Sequence, residues 1–139
     1  MSAVVMDASV ALRAVYATEP GHDDVIARLG ELLRAGFEPV APDLFPYEVG
    51  HSIRRGPGTA SQRSALMLDA LGLVRLVPPS LDTFVRAQSS SGRPSFYDAA
   101  HVALAEEVRA ALWTEDGAVL RAHPDLAADT SGILRRLRG

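Results

Sequence analysis

Four acidic residues, Asp7, Glu48, Asp98 and Asp116, stand where four separate segments can bring carboxylates together. Asp7 ends the apolar run AVVM (3–6), and Asp116 lies two residues beyond AALWT (110–114). Glu48 sits in FPYEVGHSI and Asp98 in SFYDAAHVALA, both of helical composition. Carboxylates packed together repel, and each resists ionising unless a cation neutralises the group. The hard divalent ions Mg²⁺ and Mn²⁺ suit such an oxygen set and keep waters that face a phosphate. The chemistry is then metal-assisted hydrolysis of a phosphodiester, with a water activated and the developing charge stabilised. The cation also gives an acidic chain the local positive charge it needs against an anionic polymer.

Each acid also has an ordinary reading by itself. Asp98 follows Ser95 by three residues, the spacing of a capping box that contributes about 1 kcal/mol to a helix. Asp116 and Glu115 suit a helix N-terminus through the dipole, Asp7 suits the cap of a helix beginning at Ala8, and Glu48 suits a solvated face. The joint arrangement outweighs these separate readings.

The elements that must position the acids follow from the hydrophobic pattern. The continuous valine-rich run at 3–6 reads as a strand buried on both faces of a parallel sheet, and the short runs at 38–42, 73–78 and 110–114 read as further strands. Helices are expected over 8–17, 23–35, from a cap at Asp43 to 55 with Pro46 in the first turn, 60–71, 80–88 with Ser80 as cap, from Ser95 onward, and 115–122. The stretch 132–137 reads as either strand or helix. Alternation of this kind predicts a single α/β domain over 1–139. Its expected form is a three-layer α/β/α sandwich around a mostly parallel sheet of four to five strands. Ligands of such open sheets bind beyond the carboxyl ends of the strands, which is where Asp7 and Asp116 fall.

Composition narrows the field further. With 139 residues, 47% of them hydrophobic, the chain can bury one real core. It has no cysteine, which excludes disulfide scaffolds, thiolate metal sites and cysteine nucleophiles. All 14 basic residues are arginine, so chemistry that needs a lysine is excluded too, and the net charge of −3 argues against a general polyanion coat. There is no secretory leader pattern and no apolar run of membrane-spanning length, so a cytoplasmic location without a membrane is expected.

Other acidic sites fit less well. Glu48/His51 and Asp98/His101 share the three-residue spacing of di-iron bundles, but those need an all-α scaffold, and both histidines read as packing or supporting groups. A response-regulator receiver needs a lysine, and a haloacid-dehalogenase-type phosphatase a second aspartate where Ser9 stands.

The segments VVMDASV (4–10), PDLFPYEVGHSIRR (42–55), SFYDAAHVALAEE (95–107) and LWTEDGAVL (112–120) together resemble the four acidic motifs of PIN-domain ribonucleases. The nearest type is the VapC toxin of toxin–antitoxin modules. The resemblance implies metal-dependent endonucleolytic cleavage of RNA with Mg²⁺ or Mn²⁺ held by Asp7, Asp98, Asp116 and Glu48. It makes Ser9 and Thr114 the hydroxyls that hold carboxylates in place. Arg13, Arg54, Arg55 and Arg93 are candidates for phosphate contacts. It further implies a small VapB-like antitoxin as partner and a homodimer. The rival expectation is a PIN fold used for RNA or protein contact without catalysis.

Overall fold

Why the chain builds a sheet with one charged edge is visible in how its apolar residues alternate. The computed structural model describes residues 2–89 and 95–139. Five strands, β1 (Ser2–Met6), β2 (Phe37–Pro42), β3 (Arg75–Val77), β4 (Leu112–Trp113) and β5 (Ala127–Ala128), pair in parallel in the order β3-β2-β1-β4-β5. The helices are α1 (Ala8–Val15), α2 (His22–Arg34), α3 (Phe45–Arg55), α4 (Ala60–Leu71), α5 (Leu81–Ser89), α6 (Phe96–Val108), α7 (Gly117–Ala122) and α8 (Ile133–Arg138).

Successive strand residues point to opposite faces. Val4, Met6, Ala41, Trp113 and Ala128 therefore join the core under α1 to α4 and α8. Val5, Val40, Leu112 and Ala127 join the other core, under α6 and α7. Helix α5 packs outside α6 through the small side chains Ala87, Ala99 and Ala103. Helix α6 is thus covered by the sheet on one side and by α5 on the other, and every residue from Ala99 to Ala105 is buried. The expected three-layer α/β/α architecture is present, and all the described strand pairs are parallel.

Two local expectations are corrected and a third, left open, is decided. The helix carrying Glu48 starts at Phe45 with Leu44 as its N-cap, so Asp43 is not the cap, although Pro46 does fall in the first turn. The third strand is shorter than 73–78. The stretch 132–137, open between strand and helix in the sequence, is helical, with Gly132 as the N-cap of α8, and the fifth strand is Ala127–Ala128.

Strand order reverses between β1 and β4, which are direct neighbours with Met6 level with Trp113. One residue further along, Asp7 N–H donates to Trp113 O at 3.0 Å, so Asp7 and Thr114 leave the sheet side by side. This is the switch point at which open α/β sheets bind ligands.

A buried knot braces that edge. The Glu115 carboxylate accepts from Thr130 N–H at 3.0 Å and from the Thr130 hydroxyl, while Trp113 Nε1–H donates to Thr130 Oγ1 at 3.0 Å. The Arg13 guanidinium lies 3.6 Å from the same carboxylate. Glu115 therefore ties the β4 exit to the loop after β5. Glu115→Ala strands the Thr130 N–H and hydroxyl, an expected loss of about 1–3 kcal/mol in urea unfolding; an unchanged midpoint would contradict that role. Among the described residues no helix is long and apolar enough to cross a membrane.

Candidate metal centre

Asp7 occupies the N-cap position of α1 but makes no side-chain cap bond. Its Oδ2 instead accepts from Ser9 Oγ and from Thr114 Oγ1, each at 2.8 Å. The single proton of each hydroxyl is committed to Asp7, because each hydroxyl oxygen also accepts a backbone N–H. Glu115 N–H donates to Ser9 Oγ at 3.0 Å, and Asp116 N–H donates to Thr114 Oγ1 at 3.0 Å. With Oδ2 satisfied twice and Thr114 fully buried, Oδ1 is left to face the site.

Asp116 is the N-cap of α7, and its Oδ1 accepts from Ala118 N–H at 2.8 Å and Val119 N–H at 3.2 Å. Its capping reading is therefore correct for one oxygen. Ser95 caps α6 by accepting Asp98 N–H at 3.1 Å, which locks Asp98 into the first turn. Glu48 lies in the first turn of α3. All four acids line one cavity of about 670 Å³, with Ser9, Tyr47, His51 and Tyr97 also in its wall.

The electrostatics follow from this convergence. Burial pushes the Glu48 carboxyl up to about 7, with Asp7 and Asp98 adding repulsion and His101 opposing it. Asp98 is also raised, first by burial, then by Asp116, with a hydrogen bond from the Ser95 side chain pulling the other way. Such a site favours protons or a cation.

His101 is the residue that the sequence undervalued. It is 2% exposed, one turn beyond Asp98, and its Nε2 lies 3.5 Å from Glu48 Oε1 and 3.8 Å from Asp7 Oδ1. Ligand atoms of Asp7, Glu48 and His101 all fall within 4.8 Å of one another. Glu48 Oε1 and His101 Nε2 are buried without a hydrogen-bond partner. Buried polar atoms are normally satisfied, so this pair fits a cation between them. The signal available in sequence was the Asp98-Ala-Ala-His101 spacing, which places both side chains on one helix face.

The arginines behave differently. Arg13 faces Glu115 and Thr130 in a separate pocket, so its charge is already matched and it lies away from the acid cavity. Arg54 and Arg55 are exposed in the last turn of α3. Arg93 lies outside the described residues.

Comparison with known proteins now decides the family. The PIN domain family model matches residues 4–123. The chain belongs to the PIN domain family. No match is found among curated proteins. Among solved structures, PAE2754 from Pyrobaculum aerophilum is 22% identical, with a TM-score of 0.67 over 99% of this chain and 91% of that one. Mycobacterium tuberculosis VapC20, described as a sarcin-ricin loop cleaving toxin, is 17% identical, with a TM-score of 0.66 over 86% and 94%. VapBC2 from Rickettsia felis, solved bound to a DNA fragment from its promoter, is 9% identical, with a TM-score of 0.69 over 91% and 98%. At these identities the likeness is one of fold, and it extends over nearly the whole PIN domain.

Proposed function

We propose that this PIN domain is a Mg²⁺- or Mn²⁺-dependent endoribonuclease acting as the toxin of a toxin–antitoxin pair. The observation that carries this reading is the convergence of Asp7, Glu48, Asp98 and Asp116 on one cavity, with Asp7 oriented by two hydroxyls. These acids would hold the ion, which would supply positive charge beside the scissile phosphate and acidify a water.

The chain's own groups then have separate tasks. Ser9 and Thr114 fix Asp7, which saves reorganisation when the ion and substrate bind. Asp116 keeps one oxygen on its helix and lends its charge to the cavity. Glu48, the helix-borne acid of the cavity, would hold the ion directly or through a water and so orient the attacking water. Tyr47 and Tyr97, 80% and 55% exposed at the cavity wall, offer aromatic faces on which unpaired bases stack, which favours single-stranded RNA. Arg54 and Arg55, on the helix that carries Glu48, are proposed phosphate contacts. The toxin assignment, with a VapB-like antitoxin, is supported by fold likeness to VapC20 and VapBC2, and a homodimeric state is part of the same proposal.

The test is cleavage of single-stranded RNA by the purified chain with Mg²⁺ or Mn²⁺. Cleavage is expected to stop with EDTA and to fall at least about 100-fold in Asp98→Asn, a loss of about 2.7 kcal/mol of transition-state stabilisation. A wild-type chain that binds RNA and leaves it intact with either ion would instead be a non-catalytic binding module.

A further inference from the structure

His101 has a ring whose two nitrogens are not equivalent. Nδ1 lies 3.0 Å from Tyr97 O, the carbonyl one turn earlier in α6. A carbonyl only accepts, so Nδ1 carries the proton and, in the neutral ring, Nε2 presents a lone pair. That lone pair is buried and aimed at Asp7 and Glu48 with no hydrogen-bond partner. Facing two carboxylates, a lone pair is repelled unless something positive stands between them.

No hydrogen bond closes the gap between Nε2 and either carboxylate. A charged N–H aimed at a carboxylate closes to about 2.7–2.9 Å, whereas the separations here are 3.5 Å and 3.8 Å and neither is a hydrogen bond. The spacing suits ligands of a common ion. Nitrogen and oxygen about 2.1–2.2 Å from one ion lie about 3.4–3.6 Å apart at a tetrahedral angle, which the 3.5 Å to Glu48 meets and the 3.8 Å to Asp7 exceeds slightly.

We propose that His101 Nε2 is a nitrogen ligand of the cation held by Asp7 and Glu48, making the centre selective for Mn²⁺, Co²⁺ or Zn²⁺ over Mg²⁺. The inference rests on the reading of this cavity as a metal centre and goes beyond it in naming the donor and the preference. Imidazole suits first-row transition ions, whereas Mg²⁺ takes oxygen and resists dehydration. Tyr97 supplies the support that metal-bound histidines require, because its carbonyl fixes the tautomer and aims Nε2.

The experiment is Mn²⁺ and Mg²⁺ binding to the full chain by calorimetry, with pulsed electron paramagnetic resonance of the Mn²⁺-loaded protein. Wild type is expected to show ¹⁴N modulation from a coordinated imidazole. His101→Asn keeps a donor for Tyr97 O and should lose that modulation. Its Mn²⁺ affinity should fall about 10–100-fold, as for groups supporting a metal site, and its Mg²⁺ affinity less than about 3-fold. His51→Ala, which removes the histidine of the cavity wall, should keep the modulation. Mn²⁺ bound to wild type without ¹⁴N modulation would overturn the role of His101 while leaving the metal centre standing. No Mn²⁺ bound to wild type would overturn the metal centre itself.

Discussion

Asp7→Asn is expected to fold normally and to lose RNA cleavage by about 10³-fold or more, a deficit of about 4 kcal/mol in transition-state stabilisation. The asymmetry of the Asp7 carboxylate explains why one substitution separates stability from function. Oδ2 receives both hydroxyls, from Ser9 and Thr114, and an asparagine carbonyl placed there accepts both equally well. The amide nitrogen then takes the place of Oδ1, the oxygen nearest His101 at 3.8 Å. An amide –NH₂ can donate to a lone pair there but cannot ligate a cation. The variant thus keeps its packing and would lose both the ligand and the charge that the proposed metal centre draws from Asp7. Circular dichroism and urea unfolding check the first half, and single-turnover RNA cleavage the second. A folded Asp7→Asn chain that cuts RNA at the wild-type rate would remove Asp7 from the mechanism.

The strand-and-helix order and the four acids are legible in the sequence because each rests on short-range pattern. The valine-rich run of β1, buried at Val4, Val5 and Met6, announces a parallel strand, and the acids stand a few residues beyond strand ends or in first helical turns. What escaped depends on distant partners. Ala127–Ala128 has neither alternation nor β-branched residues, and it is a strand only because β4 offers its edge at Leu112 and Trp113. Glu115 reads as a dipole partner for the next helix, yet its carboxylate is spent on Thr130, 15 residues later, and on Arg13. Its neighbour Asp116, with the same expectation, does cap that helix. The two differ because the chain turns between them, a fact that no local pattern carries. His101 escaped for another reason. Helix α6 is buried on both sides, so an apolar run surrounds the histidine and conceals which layer it faces.

Glu48→Gln is expected to stabilise the metal-free chain at pH 8 by about 1–3 kcal/mol and to leave its stability unchanged near pH 4.5. The sign follows from proton linkage. Burial, with help from Asp7 and Asp98, raises the Glu48 carboxyl from 4.5 to about 7 in the folded chain. The folded state then holds this proton while the unfolded chain releases it, so stability falls as pH rises between those values and the whole loss is present above pH 7. At about 1.4 kcal/mol per pH unit the full span is about 3.5 kcal/mol, and the residual 24% exposure of the side chain moves the expected effect below that ceiling. Glutamine has the same shape and no charge, so it removes the loss without a cavity. Added Mn²⁺ should reverse the order. An ion that binds only the folded chain stabilises it by about 2.7 kcal/mol at 100 times its dissociation constant, and the glutamine variant gives up part of that gain. Melts in EDTA and in Mn²⁺, at pH 5 and pH 8, check both halves. If the variant is the less stable chain in EDTA at pH 8, Glu48 is a structural acid and the crowding argument fails. If the order inverts with Mn²⁺, the strain that Glu48 imposes on the empty fold is the same charge that binds the ion.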